Sequence, residues 1–137
     1  MHRKILILGL SFAALSVILG AFGAHALKSM VQEDKLQIFE IGVRYQFMHA
    51  IALITLAIYC HQQHLSIKEQ KWLGWAAHFF IAGMFFFSGS LYLLTLLSSS
   101  NNPLIRFIGP ITPLGGLCFI LGWYFWLRVV YLKKVDK

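Results

Sequence analysis

Four stretches of this chain are long and apolar enough to cross a bilayer, roughly residues 5–24, 46–60, 72–97 and 113–130, and no Asp, Glu, Lys or Arg lies clearly within any of them. A helical span takes about 20 apolar residues. In hydrocarbon every backbone N–H and C=O must be satisfied within the protein, which leaves helices as the reading of such runs. Apolar residues make up 58% of the 137 residues and charged ones 12%, more apolar surface than a water-soluble domain of this length could hide. The expected fold is therefore all-α: one integral membrane domain, 1–137, forming a four-helix bundle.

The second stretch is short, but Leu36, Phe39, Val43 and Phe47 repeat at helical spacing just before it. That pattern predicts an amphipathic interfacial helix between spans one and two, feeding into the second span. The first stretch has a basic start, His2-Arg3-Lys4, and ends in Ala24-His25-Ala26, an A-x-A pattern. Its apolar run is longer than the roughly 7–15 residues of a signal peptide, so an uncleaved span is expected.

Four spans put both termini and the connection between spans two and three on one side. That side holds Arg3, Lys4, Lys68, Lys71, Arg128, Lys133, Lys134 and Lys137, against Lys28, Lys35, Arg44 and Arg106 on the other. The excess of cations predicts cytoplasmic termini. Trp72, Trp75, Trp123 and Trp126 fall in the half nearer that side, as a one-sided aromatic belt. The scattered basic residues fit loops against anionic lipid and do not suggest nucleic acid.

Close packing in lipid relies on small residues. Gly9, Ala13, Ser16, Gly20 and Ala24 form such a stripe on span one; Ala82, Gly83, Gly89 and Ser90 serve span three, and Gly115, Gly116 and Gly122 span four. Thr112 before Pro113 reads as the N-cap of span four, and Pro103 after Asn102 as the start of a short interfacial helix to Ile108.

Polar side chains gather at a shared depth. His25 closes span one; Tyr45, Gln46 and His49 open span two; Ser88, Ser90 and Tyr92 lie in the outer half of span three; Thr112, flanked by Pro110 and Pro113, caps span four. They predict a polar cluster at the outer end of the bundle, with two readings open. It is either an architectural hydrogen-bond network or a small pocket, lined by His25, His49 and Thr112, for a lipid headgroup or small polar ligand.

No cofactor or metal is expected. Cys60-His61-Gln62-Gln63-His64 has a metal-like look but lacks the four ligands of a structural zinc site, and His49 and His78 lie at different depths. Cys60 and Cys118 fall towards opposite ends of different spans, so no disulfide is expected. No nucleophile–base or paired-carboxylate constellation lies in the membrane, so the chain reads as non-enzymatic. Lipid, a membrane-protein partner or a homo-oligomer are the expected partners. A small-solute transporter or channel acting as an oligomer is the alternative, marked by a continuous polar path past His78.

GAFGAHALK (20–28), YQFMHA (45–50), FSGSLY (87–92) and GPITPLGG (109–116) with Gly122-Trp123 together resemble the YgdD/YwdK-type family of small bacterial inner-membrane proteins, a domain of unknown function with small eukaryotic transmembrane relatives. The resemblance covers nearly the whole chain. It implies four helices in the bacterial cytoplasmic membrane and carries over no activity and no site residues.

Overall fold

The structure, a computed structural model, describes residues 2–98, 103 and 105–135. Asn102, and Lys137 among the cations counted above, lie outside these residues. Helix α1 is His2–His25, and a single 3-10 turn, Leu27–Ser29, leads to α2, Glu33–Gln62. Next come α3 (Ile67–Gly83), a π-helical turn (Met84–Ser88) and α4 (Gly89–Leu97), then the short α5 (Ile105–Ile108) and α6 (Ile111–Val135). Four segments are long and apolar enough to span a membrane: His2–Ser29, Glu33–Gln62, Ile67–Leu97 and Ile105–Lys133. The all-α four-helix bundle is thus present, and no strand occurs among the described residues.

The antiparallel pair α1/α2 and the pair α3–α4/α6 meet along α2 and the π turn. On α1 the surface towards α2 follows a heptad: Gly9, Ser16 and Gly23 are buried, whereas Ala24 is exposed. A Cβ on Gly9 would lie 2.8 Å from Ile54 and 3.1 Å from the carbonyl oxygen of Ala50, so the backbones are in near contact there.

The stretch expected to lie as an interfacial helix is instead the beginning of α2, which runs unbroken for 30 residues. Leu36, Phe39 and Val43 of its apolar face pack on protein rather than on the bilayer surface, whereas Phe47 is exposed. Phe39 is 1% exposed and packs at Gly23, with its ring 4.9 Å from that of Tyr92; Val43 faces Gly20. Leu27, just after α1, is buried with Leu36 and Phe39, and this small cluster fixes the α1–α2 reversal.

Helix α3 starts with a full capping box: the Ser66 hydroxyl accepts from the Glu69 N–H, and the Glu69 carboxylate accepts from the Ser66 N–H at 2.7 Å. Helices α3 and α6 interlock reciprocally, Phe119 filling the gap at Gly83 and Phe80 the gap at Gly122. Gly115 lies directly on the backbone of the π turn at Phe86–Phe87. Thr112 does not cap α6, which already begins at Ile111; Pro113 remains in the first turn, where no intrahelical N–H bond is lost.

Lys133 donates to Gln63 Oε1 at 2.7 Å, tying the end of α6 to the α2–α3 turn, and Lys4 shares a cavity of about 230 Å³ with Gly74 and His78 of α3. The beginning of α1, the α2–α3 turn and the end of α6 therefore occupy one end of the bundle. Between that end and His49 the interior is apolar: Leu53, Leu56, Leu73, Ala76, Phe80 and Val129 are fully buried.

Candidate functional site

The predicted polar residues do not form one cluster at the end of the bundle. Because α2 begins at Glu33, Gln46 and His49 stand near its middle, and the partner of Gln46 is Phe12, near the middle of α1. The groups divide into three contacts with distinct partners.

In the first, Gln46 bridges three helices. Its Nε2 donates to the Phe12 carbonyl at 3.1 Å, and its Oε1 accepts from the Tyr92 hydroxyl at 3.0 Å. In the second, the Ser90 hydroxyl donates to the Phe87 carbonyl at 2.8 Å and lies 2.7 Å from Thr112 Oγ1. Since Ser90 has spent its proton, Thr112 is the donor in that pair. The third centres on His49, whose Nδ1 lies 2.8 Å from the Tyr45 carbonyl oxygen. A carbonyl only accepts, so Nδ1 carries the hydrogen. That leaves Nε2 as acceptor for the Trp123 indole N–H at 3.3 Å. The His49 ring lies flat on Phe119, with centroids 3.5 Å apart and planes 9° from parallel, and Tyr45 packs nearby against Phe87 with the ring planes tilted by 37°.

The remaining predicted residues stand apart. His25 is exposed at the end of α1, and Pro110 and Pro113 are exposed. Ser88 is fully buried in the π turn, and its hydroxyl makes no hydrogen bond. Trp123, expected in the half nearer the termini, stands at the middle of α6. Of the tryptophans, Trp72 does sit at that end, under the Arg128 guanidinium at 4.4 Å.

Sequence reasoning missed three contributors. Thr95, fully buried, lies 3.1 Å from the Lys35 carbonyl and joins α4 to α2. Phe119 and Trp123 approach His49 from α6, and Phe80 of α3 lies 5.6 Å from its ring. The signal of the α6 pair was the spacing Gly116, Phe119, Ile120, Trp123, which puts all four on one helical face.

That face and α2 enclose a groove of about 720 Å³, with His49 and Trp123 among polar groups on walls built from Met48, Ile51, Phe87, Phe119 and Ile120. Met48, Ile51 and Ile120 are exposed on the bundle surface, so the groove opens sideways, towards lipid in a membrane. A second groove, about 460 Å³, runs between α1 and α2 and includes Ser16, Gly20, Glu40 and Arg44; Phe47 borders both. No group of three or more His, Cys, Asp or Glu side chains able to hold a metal occurs among the described residues, and both cysteines are free.

The sequence is similar to UPF0382 membrane proteins. It is 39% identical over 121 residues to YwdK of Bacillus subtilis, covering 88% of this chain and 90% of the relative. It is also 39% identical over 118 residues to the inner membrane protein YgdD of Escherichia coli K12, covering 83% and 82%. A Staphylococcus saprophyticus relative, SSP2132, is 39% identical over 121 residues, covering 88% and 91%. No solved structure matches the chain. The family described as protein of unknown function DUF423 matches residues 19–116, and the chain belongs to it.

Proposed function

We propose that this protein is a non-enzymatic, multi-pass protein of the bacterial inner membrane that holds a lipid chain in the groove between α2 and α6. The observation that carries the reading is the groove itself: about 720 Å³, apolar-walled, laterally open, and marked by the His49–Trp123 contact. Ligand sites are typically 300–1,000 Å³ with apolar walls and a few polar groups, which matches this arrangement. Both nitrogens of His49 are engaged, one donating and one accepting, so the imidazole serves as a knot between α2 and α6 rather than as a general base. The apolar interior at Leu53, Leu56, Leu73 and Phe80 supports binding over transport, which needs a polar path to the other end.

Gly116 borders the groove, and a Cβ there meets only the Phe87 ring, at 3.9 Å. Gly116→Leu should therefore fill the groove without disturbing the bundle. The expected result is a severalfold fall in phospholipid retained by the purified protein in native mass spectrometry, with an undiminished melting temperature. Lipid retention equal to the parent protein's would overturn the reading.

A further inference from the structure

The groove between α1 and α2 has a chemistry of its own. It is separate from the α2/α6 groove apart from the shared border at Phe47. Its α1 wall is Ser16, Val17, Gly20 and Gly23, and about 460 Å³ lies between this wall and Val43 and Phe47 of α2. At one end stand Glu40 and Arg44, both exposed. They are four residues apart on one helix face, about 6 Å along the axis. Such a Glu–Arg pair could bridge internally. The only ion pair among the described residues is Lys35–Asp34, so Glu40 and Arg44 present their opposite charges separately.

Depth argues the same way. Helix α2 is about 45 Å long, whereas the hydrocarbon core is about 30 Å thick. With the polar run His61–His64 at one boundary, 20 residues of helix bring the other boundary to Ile41, between Glu40 and Arg44. From one turn inside, the long Arg44 side chain reaches the interface.

We propose that the α1/α2 groove binds a zwitterionic phospholipid, with its phosphate on Arg44, its headgroup cation on Glu40, and an acyl chain along Val17, Gly20 and Phe47. The two charges match the two ends of such a headgroup, one turn apart. An anionic headgroup would satisfy Arg44 and be repelled by Glu40. Glu33 and Lys28 border the adjoining end cavity, which Glu40 also lines, and sum to no net charge there.

The full-length protein, purified in mild detergent, is offered equal amounts of phosphatidylethanolamine, phosphatidylcholine and phosphatidylglycerol with identical chains, and retained lipid is read by native mass spectrometry. The parent protein should retain each zwitterionic lipid over phosphatidylglycerol by about threefold, the range of an exposed charge contact. Glu40→Gln should abolish that preference, and Arg44→Gln should lower retention of all three. Both side chains are exposed, so neither change threatens folding. A parent protein without the preference, or an unchanged ratio in Glu40→Gln, would overturn the proposal. Gly116→Leu separates the two grooves: if it leaves total lipid unchanged while the headgroup preference persists, the α2/α6 reading fails and this one stands.

Discussion

Trp123 on α6 donates its indole N–H to Nε2 of His49 on α2 across 3.3 Å, and this bond joins two helices that otherwise leave a groove between them. The carbonyl of Tyr45 sets the His49 tautomer and so makes Nε2 an acceptor. His49 is 4% exposed, whereas Trp123 is 48% exposed, so the bond has a buried half and a half at the groove wall.

Trp123→Phe keeps the aromatic ring and removes the donor, leaving His49 Nε2 unpaired in an apolar surrounding. Interhelical side-chain bonds in membranes contribute about 0.6–2 kcal/mol, and a loss of about 1 kcal/mol is expected. A double-mutant cycle with His49→Leu checks it. The double variant should cost less than the sum of the singles, because neither partner is then orphaned. Strict additivity would mean that the bond contributes nothing.

The glycines give a sharper contrast. Gly115→Ala would drive a Cβ into backbone atoms at Phe86–Phe87, which cannot move aside as a side-chain tip can. The π turn and α6 must separate, so a substantial drop in melting temperature is expected, in line with overpacking costs of about 1–3 kcal/mol. Gly89→Ala meets nothing within 4 Å and lies inside a helix, so it should stabilise by about 0.5–1 kcal/mol. Melting curves of the two variants side by side test the assignment; equal shifts would contradict it.

The spans were legible because hydrophobic length is a property of local sequence, and helices satisfy their own backbone. Depth was less legible. Leu36, Phe39 and Val43 repeat with the period of an interfacial helix, and the same period serves a face packed on Gly20 and Gly23 of α1. Nothing local distinguishes lipid surface from protein as the cover of that face. Placing the start of span two near Gln46 then moved Gln46 and His49 towards the end of the bundle. The residues Gln46, His49, Ser90, Tyr92 and Thr112 do make interhelical bonds, but with partners such as the Phe12 carbonyl and the Trp123 indole that carry no polar signature in sequence. His25 looked like a member of the group because it closes span one at the shared depth, and it stands exposed.

Gln46 and Tyr92 form the second buried polar joint, and the asymmetry of hydrogen-bond loss makes it testable. Tyr92→Phe leaves Gln46 Oε1 without its partner, while the ring that packs at Gly42 remains. A loss of about 1–2 kcal/mol is expected in thermal or denaturant unfolding. Adding Gln46→Met removes the orphan at nearly constant volume and should restore part of that loss. No restoration would show that the amide matters chiefly through Phe12.

Orientation follows from charge rather than packing. Arg3, Lys4, Lys68, Lys71, Arg128 and Lys133 belong to the end of the bundle where Lys133 meets Gln63; Lys28, Lys35, Arg44 and Arg106 belong to the other. By the positive-inside bias we propose that the termini are cytoplasmic. Met30, 70% exposed after α1, and Ile67, 89% exposed at the start of α3, mark the two ends. Cysteines placed there, in a chain with Cys60→Ala and Cys118→Ala, are exposed to a membrane-impermeant maleimide in intact spheroplasts and again after lysis. Position 30 should label at once and position 67 only after lysis. The reverse pattern would invert the topology and move the Glu40–Arg44 end, with its headgroup chemistry, to the cytoplasmic leaflet.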